Sequence, residues 1–208
     1  MTPSDRTREL LDLGAATLGE SGAQPMRSRL RPVWSGARLA APAFPVVCTP
    51  GDNLAIHVAV ARAPAGSVLV VDVGTEPERG YWGEVLTTGA EARGLAGLVI
   101  DGCVRDTDAL ASHQFPVFST GVALPGATKE LPGRVGRETV VGGVVVNIGD
   151  WIVGDGDGVV VILAEELGDV LAAGRARAAK EARFFTELRD GATTVELLGL
   201  DADLIDDE

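Results

Sequence analysis

The 208 residues predict an α/β fold, and three observations carry that prediction. In the first half, β-branched runs at 68–73 and 98–100 flank a helical segment, the spacing of a right-handed parallel crossover unit. From 139 to 163 the chain turns mostly β, with Asn-, Asp- and Gly-rich turns between apolar runs. A helical segment at 165–189 then extends for about 37 Å at 1.5 Å per residue.

Taken in order, residues 5–20 predict a helix with Leu10, Leu11, Leu13 and Leu18 on a loose apolar face. The proline-bearing stretch 27–45 predicts an irregular connection into a strand at 46–49. Pro50-Gly51 reads as a turn, after which Asp52 can cap a helix carrying Leu54, Ile56, Val58 and Val60 up to Arg62. Pro64 to Ser67 breaks that helix before the strand at 68–73. Residues 79–93 predict the next helix, with Tyr81, Trp82, Val85, Leu86 and Ala90 inward and Gly94 at its end. Strands follow at 98–100 and 116–118, then a Pro- and Gly-rich loop at 124–137. Runs at 139–146 and 151–153 predict a strand pair joined by the turn at 147–150, and the glycines and aspartates of 154–158 a tight turn into a strand at 159–163. The expected organisation is one domain over 1–208. Residues 1–45 are a helix and connection, 46–163 the core, 164–190 the long helix and 191–208 an acidic tail, mobile at 201–208.

Composition narrows the function classes. A net charge of -12 argues against nucleic acid, whose phosphates are gripped by clustered Lys and Arg. No apolar run approaches the roughly 20 residues needed to span a bilayer, and the N-terminus has no secretion-signal core. Cys48 and Cys103 provide neither a disulfide framework nor metal-ligand spacing, so a cytoplasmic protein with free thiols is expected. Only Lys129 and Lys180 face sixteen arginines, and neither lies in an apolar run that would desolvate an amine. That argues against imine catalysis. With only His57 and His113, no H-x-x-H pattern, no G-x-G-x-x-G and no G-x-S-x-G, zinc, nucleotide and serine-triad chemistries lack support. The Gly-Asp-Gly-Asp-Gly run at 154–158 lacks the terminal Glu of a calcium loop.

What remains is the stretch 98–110, Leu-Val-Ile-Asp-Gly-Cys-Val-Arg-Asp-Thr-Asp-Ala-Leu. Arg105 and Asp106 stand just past a core strand, where α/β proteins place ligand sites. An arginine fork can hold the carboxylate of a 2-oxo acid, and a neighbouring aspartate can hold Mg²⁺ with several of its waters. The pairing suits chemistry in which an enolate forms at the ketone. A surface salt bridge is the alternative reading of the same two residues.

Residues 50–57, 70–72, 82–86, 94–106, 116–118 and 154–161 together resemble the RraA-like family, over about 17–200. That family includes class II 4-hydroxy-4-methyl-2-oxoglutarate aldolases and ribonuclease E regulators. The resemblance implies an α/β/β sandwich of the swivelling-domain type, assembled as homotrimers or hexamers with sites at subunit interfaces. It further implies that Arg105 binds pyruvate, that Asp106 ligates Mg²⁺ or Mn²⁺, and that the amides of Val85 and Leu86 hold the substrate. Glu84 and Glu20 would orient waters around the metal, and Glu181 of a neighbouring subunit would complete the site. In the aldolases an acid follows the Arg-Asp pair after two further residues, whereas this chain has Ala109. The expected activity is therefore a metal-dependent lyase forming pyruvate enolate, with oxaloacetate decarboxylation ahead of aldol cleavage. The alternative is a non-catalytic regulator that docks a ribonuclease or another basic partner through an acidic surface. Methyl transfer to quinones, a label attached to the family, has no nucleotide cradle to support it.

Overall fold

In the computed structural model, which describes residues 3–205, the first half of the chain contains α1 (Pro3–Gly19), β1 (Gln24–Pro25), β2 (Arg31–Pro32), β3 (Leu39–Val47) and α2 (Leu54–Arg62). Then come β4 (Val68–Asp72), α3 (Glu84–Ala92), β5 (Gly97–Ile100), β6 (Cys103–Val104), α4 (Thr107–His113), β7 (Val117–Ser119) and β8 (Gly121–Val122). The second half holds β9 (Arg134–Val135), β10 (Thr139–Val141), β11 (Val144–Val146), β12 (Trp151–Asp155), β13 (Gly158–Ile162), α5 (Leu167–Arg189) and α6 (Thr194–Leu198).

One long curled sheet runs β1-β13-β12-β3-β4-β5-β7-β2, with β9 on the side of β3. Strands β3, β4, β5 and β7 are parallel, as the crossover spacing predicts, while β12 pairs antiparallel with β3 and β13 antiparallel with β12. The two-residue period of the strands builds three apolar layers. Leu39, Ala41 and Ala43 of β3, Val68 and Val70 of β4, Val99 of β5, Ile152 of β12 and Val159 and Val161 of β13 meet inside the curl. The alternate residues face outward. Phe44, Val46, Leu69, Val71, Leu98 and Ile100 pack under α2 and α3, and Ala40, Trp151, Val153, Val160 and Ile162 under α1 and α5. The result is the expected α/β/β sandwich with a long C-terminal helix.

Several boundaries depart from the sequence expectations. Strand β3 begins at Leu39 rather than 46, so 27–45 is not wholly irregular. Its residues 39–42 pair with β12 and 43–47 with β4, leaving unladdered edge where the missing N–H groups of Pro42 and Pro45 are tolerated. The helix expected at 79–93 is confined to Glu84–Ala92, because Trp82 forms a parallel bridge with Val104 and the Tyr81 N–H bonds to the Cys103 carbonyl. Runs 139–146 and 151–153 do not pair with each other. Residues 139–141 fold back on 144–146 through Gly142 and Gly143, both at positive φ, while β12 pairs with β13 and β3. Helix α1 bends at Gly14, and the Asp155 carboxylate accepts the Ala15 N–H at 2.8 Å. The 154–158 turn thus places Asp155 as a helix-capping residue. Within the acidic tail, residues 202–204 form a 3₁₀ turn capped by Asp201, while 206–208 lie outside the described residues. No helix among the described residues is long and apolar enough to cross a membrane.

Candidate functional site

The site grows from the short ladder that continues past the parallel core. β6 pairs with β8, and Trp82 bridges Val104 from the other side, so Arg105 leaves the ladder with its N–H bonded to the Trp82 carbonyl at 2.9 Å. Asp106 follows in the left-handed conformation, φ 59°, which a short polar side chain tolerates, and opens α4. This turn sends the Asp106 carboxylate back beside Arg105, whose Nε lies 3.9 Å from Oδ2. The same oxygen accepts the Glu84 N–H at 3.1 Å, linking it to the first turn of α3.

Two glycines make the room. A Cβ on Gly83 would lie 2.3 Å from Asp106 Oδ2, and one on Gly80 would lie 2.9 Å from Arg105 Cδ. Along 80–86 the backbone therefore forms a wall against which the arginine and aspartate can lie. Behind it, Trp82 is fully packed, stacked on Phe115 at 6.1 Å between ring centroids and donating its indole N–H to Thr87 Oγ1.

A cleft of about 150 Å³ opens against this wall, lined by Asn53, His57, residues 80–83, Val85, Leu86, Arg105, Asp106 and Lys129. Arg105 and Asp106 are both roughly half-exposed and so available to a ligand. The first-turn N–H groups of α3 have no partners within that helix, and the positive end of its dipole favours an anion. The backbone of Val85 and Leu86 is therefore suitably placed for a carboxylate or oxo oxygen. A larger groove of about 540 Å³ along 75–79 and Pro125 holds none of the expected site residues.

Among the described residues no group of three or more His, Cys, Asp or Glu side chains is placed to cage a metal. A hydrated Mg²⁺ asks for less, since it binds through one or two carboxylates and keeps its waters. The half-exposed Asp106 carboxylate, packed close over Gly83, fits that requirement. The Glu84 carboxylate is turned toward α4, 3.6 Å from His113 Nε2, while His113 Nδ1 lies 2.8 Å from Glu91. The hydrogen bond to Glu91 raises the His113 pKa above its ordinary value, with Glu84 adding to the effect.

Residues 7–161 match the sequence model of the RraA-like family, described as aldolase/RraA. The chain belongs to the RraA-like family. Over 181 residues it is 32% identical to a Halalkalibacterium halodurans protein provisionally named a 4-hydroxy-4-methyl-2-oxoglutarate aldolase, covering 87% of this chain and 84% of that protein. A crystal structure of an uncharacterized protein from Pseudomonas syringae pv. tomato superposes with a TM-score of 0.85 at 27% identity, covering 96% of this chain and 95% of that one. The RNA-processing inhibitor RraA from Thermus thermophilis superposes at 0.64 with 26% identity, over 71% of this chain and 92% of that one.

Of the residues the RraA-like resemblance singled out, Arg105, Asp106, Val85 and Leu86 line one cleft, and Glu84 stands at its edge. Glu20 and Glu181 do not line it. Both pair with Arg177 of α5, Glu181 at 2.9 Å from Nε, and Glu20 borders a separate apolar groove beside β1 and β13. Asn53, His57 and Lys129 line the cleft unanticipated by the sequence reading. Asn53 and His57 are one helical turn apart, a spacing that could have marked them as neighbours.

Proposed function

We propose that this protein is a divalent-metal-dependent carbon–carbon lyase that releases pyruvate from a 2-oxo acid. The lead substrate is oxaloacetate, and a 4-hydroxy-2-oxo acid of the 4-hydroxy-4-methyl-2-oxoglutarate type comes second. The observation that carries this reading is the Arg105 fork and the Asp106 carboxylate side by side in one cleft, next to Val85 and Leu86 in the first turn of α3. Arg105 takes the substrate carboxylate in two parallel charge-assisted bonds. The amides of Val85 and Leu86 orient the same end of the substrate. Asp106 would hold Mg²⁺ or Mn²⁺, which when bound supplies a positive charge for the oxo group as it becomes an enolate. In oxaloacetate the C3–C4 bond breaks, its electron pair enters the enolate, carbon dioxide leaves, and protonation at C3 gives pyruvate. Aldol cleavage breaks the corresponding bond but must also accept the hydroxyl proton, and at 109 this chain offers alanine. Decarboxylation avoids that step.

Glu20 and Glu181 serve, in this reading, a neighbouring copy in a trimer or hexamer. A coupled assay for pyruvate from oxaloacetate, with and without EDTA, tests the whole. A rate that EDTA abolishes and added Mg²⁺ restores is expected, with Arg105→Ala at background. A parent protein at background, or Arg105→Ala as active as the parent, ends this reading. Similarity to an RNA-processing inhibitor and the net charge of -12 support a second one, docking on a basic protein partner. Salt-sensitive capture of purified ribonuclease E by a protein with no lyase activity would favour it.

A further inference from the structure

His113 closes α4 and stands against α3, where two carboxylates meet its ring. Nδ1 lies 2.8 Å from Glu91 Oε2, and Nε2 lies 3.6 Å from Glu84 Oε1, within ion-pair distance. Glu84 and Glu91 stand about two turns apart on one helix, so they share a face of α3 and the ring bridges them. Asp108, the acid of α4 itself, belongs to the first turn, at the far end of that short helix.

Of the two partners, Glu84 is the one free to move. The His113 side chain is 24% exposed, while that of Glu84 is 58% exposed. The Glu84 backbone is pinned, its N–H donating to Asp106 Oδ2 at 3.1 Å and its carbonyl accepting the Thr88 hydroxyl at 3.0 Å. The side chain alone can turn, and it is rooted at the edge of the cleft that Arg105 and Asp106 line.

Protons decide which way it turns. A carboxylate only accepts, so the short contact with Glu91 requires a proton on Nδ1. A neutral imidazole has a single N–H, which leaves Nε2 with a bare lone pair aimed at the Glu84 carboxylate. That contact is repulsive. The charged ring carries a second N–H, and only then does Nε2 hold Glu84. The bond to Glu91, with Glu84 adding to it, raises the His113 pKa above its ordinary value. The hold on Glu84 is therefore made below that raised value and lost as the pH rises through it.

We propose that His113 is a positioning residue for Glu84: its ring, fixed by Glu91, clasps the Glu84 carboxylate against α4 when charged and releases it toward the cleft when neutral. What release does rests on the lyase reading. Asp106 is the one acid lining the cleft among the described residues, and a released Glu84 becomes a second, a proton carrier for the step that protonates C3.

Nuclear magnetic resonance of the full-length protein, without metal or substrate, tests the clasp. The chain has two histidines, and the signals lost in His113→Gln identify this ring. Its nitrogen shifts should place the proton of the neutral form on Nδ1, with a midpoint above about 6.5. Glu91→Gln and Glu84→Gln should each lower that midpoint, Glu91→Gln by more. The Glu84 carboxyl carbon, identified by its loss in Glu84→Gln, should shift with the ring's midpoint in the parent and lose that step in His113→Gln. A neutral ring protonated on Nε2, or a Glu84 carbon indifferent to the ring, overturns the clasp. In pyruvate release from oxaloacetate, kcat should rise about threefold through the same midpoint, the scale of one half-exposed ion pair, while KM holds. That inflection should move to lower pH in Glu91→Gln and vanish in His113→Gln. An inflection retained in His113→Gln overturns the positioning role. A ring and carboxyl carbon that titrate together in a protein releasing no pyruvate support the clasp and end the lyase reading alone.

Discussion

Gly83→Ala isolates the geometry of the site from its chemistry. Gly83 has φ -167° and ψ -166°, extended backbone that alanine also adopts, so the substitution brings no backbone strain. Its effect is steric. The new Cβ would lie 2.3 Å from Asp106 Oδ2 and 3.2 Å from Arg105 Cγ, while real Cβ contacts do not fall below 3.0 Å. Asp106 Oδ2 must then retreat by roughly 0.7 Å or more, giving up its bond to the Glu84 N–H. Displacement of a reacting group by about 1 Å costs on the order of a hundredfold in rate. The Asp106 side chain is 42% exposed and can swing into water, so the fold should survive with a melting temperature within about 4 °C of the parent. Pyruvate release from oxaloacetate, measured beside thermal melts, reads both quantities. A folded Gly83→Ala protein within about threefold of parental kcat/KM would refute the packing of Asp106 over Gly83 as the basis of the site.

Arg105→Lys keeps the charge but loses the planar fork, so kcat/KM should fall by about 10- to 100-fold in the same assay while the melting temperature holds. His113 joins α4 to Glu91 and Glu84 of α3, and these contacts raise its pKa. Their stabilisation is fully present below the ordinary histidine value of about 6.5 and is lost as pH rises through the raised one. His113→Gln should therefore lower the melting temperature at pH 6 more than at pH 9, and an equal loss at both would refute the assignment. If Glu181 serves a neighbouring copy, mixed oligomers of Arg105→Ala and Glu181→Ala chains should regain activity that neither has alone. Mixtures as inactive as their components would place Glu181 outside the site.

The fold was legible where periodicity and length were long enough to read. The runs at 68–73 and 98–100 and the helix at 165–189 all stand close to where the sequence puts them, since each buries a continuous apolar stretch. Legibility failed where pairing partners decide conformation. Tyr81 and Trp82 carry the apolar character of a helix face, yet backbone bonds to 103–104 hold them extended. β3 hides behind two prolines because its edges are shared between two partners in succession. Within the site, Arg105 and Asp106 were readable because they adjoin in sequence at a strand end. Lys129 was not, because it lies in a loop whose Thr128, Glu130 and Leu131 are tied to Asp52, far back in the sequence.

The same reasoning bears on the two glutamates outside the cleft. Glu20 ends the first helical region and Glu181 sits well along α5, and no periodicity relates positions so far apart. Packing of α1 on α5 brings both to the guanidinium of Arg177, half-exposed and shared between them. One arginine between two carboxylates brings them together on one face of the α1–α5 pair. Any contact between copies that carries Glu181 to the Arg105 cleft then carries Glu20 with it. In the proposed oligomer the two would therefore reach the neighbouring cleft from the same face, with Arg177 between them.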